Sequence, residues 1–281
     1  MKFWKEINSE CIAELEALAR EHSIHPLVIE DCVHRNQRSK LEDFETHQFL
    51  VWFMVANNKV YELQFIILPA TLVFVPHEAP PEGTSWKEYF KVTSNAKDVW
   101  HTLYQALDRA SDATTLEVRV IGEEIDQFES NIFTQSFDPQ AILSLKRRLS
   151  MLEHSIEHLP SLAKQLQNFY QKKDDLTWKW RDLFDHCERS FRNVEYHRSH
   201  IGSTIELYWG HQSHKTNRQI RKLSTLASMA VPLTFWASFW GMNFEAIPFS
   251  NPNFFYGALA VMLVSSAVAL WYLVRRGYWN D

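Results

Sequence analysis

Residues 223–243 read LSTLASMAVPLTFWASFWGMN, and most of this stretch is apolar. Its first eighteen residues, 223–240, carry no formal charge. A second uncharged segment of twenty-one residues, 254–274, follows after a short interval. Because a helix needs about 20 apolar residues to cross a hydrocarbon core about 30 Å thick, the two segments predict two transmembrane helices. Gly241-Met242-Asn243 then lies in the turn between them, at the membrane face.

The flanking charges predict the orientation of these helices. The connecting loop, residues 241–253, carries one charge, Glu245, and no Lys or Arg. The positive-inside rule therefore places both termini in the cytoplasm and the loop outside. We expect a multi-pass protein of the cell (inner) membrane, in contact with lipid. The basic flanks are Lys215, Arg218, Arg221, Lys222, Arg275 and Arg276.

Composition narrows the possible functions. The chain has 281 residues and a formal net charge of −5, and its mean hydropathy is slightly negative, so most of it should lie outside the membrane. Its three cysteines are far apart and lack metal-ligand spacing, which predicts reduced thiols of a cytosolic domain. No basic face stands out, which argues against nucleic acid as a partner. The chain has no glycine-rich phosphate loop, nucleophile elbow or zinc-protease motif, so we do not expect an enzyme.

The pattern along the chain predicts an α+β cytoplasmic domain, a helical hairpin and a very long stalk helix, followed by the two transmembrane helices. Strand-like runs lie at 48–55, 59–68 and 71–75, and Asn57-Asn58 is a candidate two-residue hairpin turn. The expected segments are 1–92 (α/β domain), 93–173 (helical hairpin or coiled-coil region), 174–222 (stalk), 223–240 (first transmembrane helix), 241–253 (outer loop), 254–274 (second transmembrane helix) and 275–281 (cytoplasmic tail).

An apolar repeat follows a clear helix start in the hairpin region. Asp138-Pro139 combines an acidic N-cap with proline at the first helical position. The repeat fits a coiled-coil seam or, as we expect over so few heptads, one face of an ordinary helical bundle. Pro160 should interrupt it. Its members are Ile142, Leu145, Leu149, Leu152, Ile156 and Leu159.

The stalk prediction rests on the absence of proline. A helical pattern restarts at Asp174-Asp175 and meets no proline until Pro232. Roughly sixty residues at about 1.5 Å each give a helix of roughly 90 Å, which is wider than a globular core. We therefore expect it to leave the soluble domain and continue as the first transmembrane helix.

A stripe of small apolar, hydroxyl and amide side chains can be followed back from Gly241 at helical spacing. Such a stripe serves helix–helix packing in membranes, or lines a pore built from several copies of the helix. One chain with two spans cannot enclose a channel, so the second interpretation demands a homo-oligomer. The stripe comprises Ser238, Thr234, Val231, Ala227, Ser224 or Leu223, Ile220 and Asn217.

The tripeptide after the stripe has a chemistry suited to a hydrated cation. The Asn243 amide offers a neutral acceptor oxygen, and Mg²⁺ dehydrates reluctantly. A ring of such oxygens would accept hydrogen bonds from the water molecules of the hydrated ion. Gly241 permits a positive φ or a close backbone approach where the helix ends. The alternative is an ordinary helix C-cap followed by a polar turn.

In combination, these features resemble the CorA family of magnesium and cobalt channels. The resemblance covers the whole chain and implies a homopentamer with a pore lined by the first transmembrane helix. The sequence departs from the family at Ser238, where a glycine is usual, and in a C-terminal tail with only two basic residues. The similar residues are Pro232-Leu233-Thr234-Phe235, Trp240 to Glu245, Ile247-Pro248, Asn217, His25 to Asp31, Gln37-Arg38 and Lys40.

The resemblance also implies roles for individual residues. Divalent cations, above all Mg²⁺, would be both substrate and regulator, with no covalently bound cofactor. Ile220 and Leu223 would form a hydrophobic constriction. Regulatory Mg²⁺ would be held between subunits by Asp182 and Asp185 of the stalk with Glu78 and Glu82, which stand where an aspartate is expected. The selectivity filter would be Gly241, Met242 and Asn243, and the pore lining Asn217, Ile220, Leu223, Ser224, Ala227, Val231, Thr234 and Ser238.

We expect a passive Mg²⁺ channel, with Co²⁺ as a further ion, and two alternatives stay open. The first is a zinc transporter of the ZntB type, since imidazole suits Zn²⁺ better than Mg²⁺. Its candidate ligands are the i, i+3 pairs His197/His200 and His211/His214. The second is a membrane-anchored coiled-coil scaffold without transport, which would not explain polar residues along one line of the first span.

Overall fold

The computed structural model describes residues 3–35, 37–83, 85–92, 96–131, 138–170, 175–242, 248 and 251–275. It contains two compact units, residues 1–204 and 205–281, and each is described by itself. This division is coarser than the seven expected segments, because the N-terminal domain, the helical hairpin and the first part of the stalk belong to one unit.

A five-stranded sheet forms the N-terminal part of the first unit. β1 pairs parallel with β5, and the other neighbours are antiparallel. The three predicted strands are confirmed, whereas β1 and β2 escape the sequence analysis because they are short and rich in charge. The strands are β1 (Trp4–Glu6), β2 (Lys40–Asp43), β3 (Gln48–Ala56), β4 (Lys59–Ile67) and β5 (Leu72–Pro76), in the order β1-β5-β4-β3-β2.

The predicted hairpin turn joins β3 to β4. Asn57 and Asn58 have φ values of 52° and 59°. Positive φ at both central residues is the backbone pattern whose twist matches that of the flanking strands. Asparagine adopts this conformation more readily than most residues, which explains why the turn forms without glycine.

Helices and aromatic side chains cover the two faces of the sheet. On one face α1 (Ile12–His22) and α2 (Pro26–Val33) bury Leu15, Leu18 and Val28 in a core with alternate residues of the strands. On the other, α3 (Trp86–Tyr89) places Trp86 against Phe74, with 5.5 Å between ring centroids.

A helical layer packs beside the sheet and contains the apolar repeat. It consists of α4 (Val99–Asn131), α5 (Pro139–Ile156) and α6 (Leu159–Phe169). The Asp138 carboxylate accepts a hydrogen bond of 2.9 Å from the Gln140 amide, which confirms the predicted helix start. All six members of the repeat are buried, and α5 contacts α4 and β3. Within one protomer the repeat is thus the inner face of a bundle. The helix is interrupted at Glu157 and His158, close to the predicted position, and Pro160 lies in the first turn of α6.

The long helix is confirmed as one element. α7 (Asp175–Trp240) has 66 residues and continues through Pro232. In the first unit it buries Trp180, whose ring lies 5.7 Å from that of Tyr104 on α4. Cys187 is buried on the same helix, and all three cysteines are free.

In the second unit, α8 (Pro252–Arg275) follows the last part of α7. The Asn251 side chain caps α8 by accepting a hydrogen bond of 3.0 Å from the Asn253 amide. Among the described helices, α8 is the one whose length and apolar composition would suit a membrane span. The end of α7 includes serine, threonine and proline, which lower its apolar content. A first transmembrane helix and cytoplasmic termini therefore stay predictions.

A buried histidine makes the stability of the first unit depend on pH. His47 is buried and its ring stacks on Phe44, with centroids 4.7 Å apart. Burial, and next the charge of His25, lower the pKa of His47. The unfolded chain, whose histidines titrate near about 6.5, therefore binds this proton more readily. The contribution of neutral His47 to stability is complete above the unfolded pKa. It is lost as pH falls from the unfolded pKa to the folded one, and over this range the free energy of unfolding drops by at most about 1.4 kcal/mol per pH unit.

We expect the melting temperature of the detergent-solubilised chain to be lower in mildly acidic than in neutral buffer. His47→Gln should reduce this pH dependence, because the titrating group is gone. The control is His34→Gln, which removes an exposed imidazole and should leave the dependence unchanged. Equal pH dependence in His47→Gln and the unmodified chain would contradict the assignment.

Candidate functional site

The predicted polar stripe forms one continuous, exposed face on the part of α7 that belongs to the second unit. Its members from Asn217 to Gly241 follow intervals of three and four residues, the spacing of a heptad seam. Leu223 and Val231, for example, are 69% and 65% exposed. Every member is exposed: Asn217, Ile220, Leu223, Ser224, Ala227, Val231, Thr234, Ser238 and Gly241.

The opposite face of α7 meets α8. At 3.6 residues per turn, Met229, Pro232, Trp236 and Trp240 lie about half a turn away from the stripe, and all four are partly buried. The Trp240 ring lies 5.1 Å from that of Phe254 on α8. Each protomer thus uses one side of α7 for its own helix pair and leaves the polar side uncovered.

The hydroxyl group of Thr234 on the stripe is already bonded as a donor. Thr234 Oγ1 donates a hydrogen bond of 2.9 Å to the Ala230 carbonyl one turn earlier. This arrangement satisfies the hydroxyl proton inside the helix and leaves the oxygen lone pairs available as acceptors. The stripe consequently offers neutral oxygen acceptors and carries no charged side chain between residues 223 and 241.

Gly241 ends α7 through a close approach to the backbone. Its amide donates a hydrogen bond of 3.0 Å to the Ala237 carbonyl, and the Met242 amide donates one of 3.3 Å to the Phe239 carbonyl. A Cβ atom on Gly241 would lie only 3.1 Å from the Ala237 oxygen. The φ of Gly241 is outside the left-handed region, so of the two predicted reasons for glycine the close approach applies. Asn243, whose amide oxygen would contact the hydrated ion in the predicted filter, lies outside the described residues.

The predicted regulatory carboxylates have different surroundings. Glu78 is only 24% exposed and forms ion pairs with Arg35, at 3.6 Å, and with Lys59. Its charge is therefore already balanced within the protomer. Asp182 on α7 is 60% exposed and lies 3.7 Å from His186, while Asp185 and Glu82 are exposed. These four carboxylates form no common cluster in the described part of one protomer, and a site shared between subunits stays a prediction.

The structure adds two aspartates of α4 that the sequence analysis missed. The Tyr104 hydroxyl donates a hydrogen bond of 3.0 Å to Asp108. Burial first, and then the charges of Asp112 and Asp182, raise the pKa of Asp108, against the lowering effects of Tyr104 and His186. Like charges four residues apart on a helix repel, so Asp108 and Asp112 together were a sequence signal for this site. A bound divalent cation would relieve the repulsion.

Comparison with known proteins identifies the family. The model of the CorA-like Mg²⁺ transporter family matches residues 3–276. The chain belongs to this family. The cobalt/magnesium transport protein CorA of Thermotoga maritima is 29% identical over 269 residues, which cover 90% of this chain and 76% of that protein. The magnesium transport protein CorA of Yersinia pseudotuberculosis is 22% identical, covering 89% of this chain and 78% of that protein.

Solved structures confirm the fold class of this CorA-family chain. The CorA magnesium transporter of Methanocaldococcus jannaschii superposes with a TM-score of 0.81 at 16% identity, covering 98% of this chain and 90% of that one. The ZntB cytoplasmic domain of Vibrio parahaemolyticus gives a TM-score of 0.63 at 9% identity, covering 75% of this chain and 88% of that domain. At these identities both likenesses show the fold alone. The family consists of transporters, in line with the expectation that the chain is not an enzyme.

The histidines of the zinc alternative do not gather as one site. His197 and His200 belong to the first unit, and His211 and His214 to the second. The one cluster of metal-binding groups found among the described residues contains His200 without the other three. The zinc alternative is therefore no better supported than before.

The tight end of α7 leads to a prediction for this CorA-like chain. Gly241→Ala places a methyl group 3.1 Å from the Ala237 oxygen, so the end of α7 must shift by a few tenths of an ångström to accommodate it. We expect Mg²⁺ uptake to fall severalfold while the protein still assembles. Uptake into proteoliposomes measures transport. The elution volume of the detergent-solubilised protein measures assembly.

The control is Gly257→Ala on α8, where an added Cβ would have no atom within 4 Å. It should transport as well as the unmodified chain. If both variants transport normally, the close approach at Gly241 has no role in the pathway.

Proposed function

We propose that this chain assembles as a homopentamer that conducts Mg²⁺, and Co²⁺ as a further ion, passively across the inner membrane. The observation that carries the proposal is the exposed polar stripe on α7, on the side opposite α8. The family match over residues 3–276 supports it, as do the magnesium and cobalt named for the relatives from Thermotoga maritima and Yersinia pseudotuberculosis.

The stripe requires further copies of the chain. Placing a face with hydroxyl and amide side chains against lipid costs free energy. Within a protomer, nothing among the described residues covers this face. Because its members recur every three or four residues, fewer on average than the roughly 3.6 of a straight helix, copies of α7 can pack with a left-handed twist while the stripe stays turned toward a common axis. Small side chains such as Ala227 and Ser224 leave room for a path along that axis.

Neutral oxygens suit the passage of a strongly hydrated ion. Mg²⁺ holds its water molecules tightly, and the Thr234 hydroxyl oxygen can accept hydrogen bonds from that water. Asn243 would add a ring of amide oxygens at the outer mouth. Binding in a channel must be weak enough to let the ion leave, which favours amides and hydroxyls over carboxylates along the path.

The membrane potential would supply the driving force. It contributes about 2.3 kcal/mol per charge per 100 mV, and twice that for a divalent cation. At the cytoplasmic end of the stripe, the exposed side chains of Ile220 and Leu223 would form apolar rings. Rings of this kind close a pore by excluding water, so they serve as the constriction of the closed state.

Replacement of Asn243 tests the conduction proposal. We expect Asn243→Ala to reduce Mg²⁺ uptake by at least about tenfold, because each lost charge-assisted contact with the hydrated ion is worth about 1.5–3 kcal/mol, with assembly unchanged. The control is Asn253→Ala, which removes an exposed side-chain amide at the start of α8 and should transport normally.

Normal uptake by Asn243→Ala would exclude the proposed filter. The same proteoliposomes, loaded with a Zn²⁺ indicator, separate the two metals. Flux of Zn²⁺ without flux of Mg²⁺ would replace the present proposal with the zinc alternative, and no flux of either ion would favour the scaffold.

Mg²⁺ would also regulate the channel through the carboxylates around Asp182. Among the four predicted regulatory residues, Asp182 is the one whose charge raises the pKa of a further carboxyl group, that of Asp108, on which the charge of Asp112 also acts. Mg²⁺ bound there would hold α7 against α4 or a neighbouring subunit, and its loss when cytoplasmic Mg²⁺ falls would release α7.

We expect Asp182→Ala to raise the Mg²⁺ concentration that protects the chain from protease by about tenfold or more, as for the loss of a group that supports a metal site. Glu195→Ala, an exposed acid on the same helix, is the control for net charge. Equal protection of Asp182→Ala and the control variant would remove Asp182 from the regulatory site.

A further inference from the structure

A cluster of three metal-binding side chains lies between α4 and α7, entirely within the first unit. His200 Nε2 is 2.8 Å from Glu129 Oε2, and His200 Nδ1 is 3.7 Å from Asp126 Oδ1. One ligand atom from each of the three residues lies within 4.8 Å of the others. The imidazole is 19% exposed, whereas Glu129 and Asp126 are 47% and 70% exposed, so an ion from solvent can reach the carboxylates.

We propose that Asp126, Glu129 and His200 bind a first-row transition-metal cation such as Co²⁺ or Zn²⁺ in each protomer, joining α4 to α7. Nothing in this assignment depends on conduction through the membrane. It also differs from the zinc alternative derived from sequence, which used four histidines of α7 and no residue of α4.

The distances suit a metal of this size. Ligand atoms at about 2.0–2.1 Å from a first-row cation lie about 3 Å apart when they are neighbours around it. The metal would bind His200 Nε2, which is already at that separation from Glu129. The exposed Asp126 carboxylate, which lies nearer to Nδ1 of the ring, would rotate to complete the set. Two carboxylates balance the charge of a divalent cation, and water would fill the remaining positions.

Beside the cluster, the imidazole of a second histidine, His197, packs closely against α4. A Cβ atom on Gly122 would lie 2.4 Å from Cε1 of His197 and 2.6 Å from its Nε2. Glycine inside a helix costs about 1 kcal/mol relative to alanine, and here it makes room for this ring one turn before Asp126. The Nδ1 atoms of His197 and His200 are both buried without a hydrogen-bond partner among the described residues. A buried polar atom in this state costs about 1–3 kcal/mol, which a water molecule ordered by the bound metal would offset.

The donor set selects against Mg²⁺. Imidazole nitrogen binds Zn²⁺, Ni²⁺ and Co²⁺ well, whereas Mg²⁺ prefers oxygen ligands and keeps several water molecules. His200 lies eighteen residues after Asp182 on α7, about 27 Å along the helix. The two sites are thus separate, one rich in oxygen for Mg²⁺ and one containing nitrogen for a transition metal.

Co²⁺ binding to the full chain in detergent tests the proposal, with Mg²⁺ in large excess to occupy oxygen-only sites. We expect about one Co²⁺ per protomer, with a histidine nitrogen in the X-ray absorption spectrum. His200→Gln and Asp126→Asn should each weaken this binding by at least about tenfold. The matched control is His214→Gln, which removes an exposed histidine of the same helix and should bind Co²⁺ like the unmodified chain.

Three results would overturn the site: Co²⁺ binding unchanged in His200→Gln and Asp126→Asn, a spectrum with oxygen ligands only, or displacement of Co²⁺ by equimolar Mg²⁺. Asp126 is mostly exposed, so Asp126→Asn remains informative if His200→Gln disturbs folding. Asn243→Ala separates this proposal from the channel proposal, since it should abolish uptake and leave the nitrogen-ligated Co²⁺ unchanged.

Discussion

Polar groups in a membrane helix must find partners within the helix or face something other than lipid, and the function proposed for α7 depends on this constraint. Hydrocarbon offers no hydrogen bonds to an unpaired donor. Thr225, which is buried, satisfies its hydroxyl proton at the Arg221 carbonyl. The exposed Thr234 does the same at the Ala230 carbonyl, and its oxygen remains as an acceptor for the water around a cation.

The two proposed roles, passage and binding of a cation, use different ligands. Between residues 223 and 241 the side chains of α7 carry no charge, and neutral oxygens bind hydrated ions only weakly. In the first unit, Asp126 and Glu129 on α4 and His200 on α7 lie close enough to bind an ion directly. An ion held there would stabilise this pair of helices, so under the proposed assignment the concentration of metal would act on the position of α7.

Much of the fold could be predicted because its signals are local. Asn57-Asn58 specifies a tight turn through its own backbone preferences, and Asp138-Pro139 specifies a helix start through its own hydrogen bond. The absence of proline and the charge pattern after residue 174 were enough to predict α7. β1 and β2 could not be predicted, since they have no apolar run and are strands only through pairing with β5 and β3. The aspartates of α4 were missed because a charged helix face is usually solvated. Asp108 stands out only in the tertiary structure, where Tyr104 donates a hydrogen bond to it and the charge of Asp182 acts on it.

The sequence by itself determined the family, the order of the elements and the residue types of the stripe, because each depends on neighbours along the chain. The tertiary structure decided what each face of a helix meets. It placed the stripe opposite α8, showed that Glu78 is already paired with Arg35 and Lys59, and brought Asp126 and Glu129 to His200. Such contacts join residues far apart in sequence. The packing of His197 against Gly122 depends on the shapes of two helices, so the pattern of residue types along one helix cannot predict it.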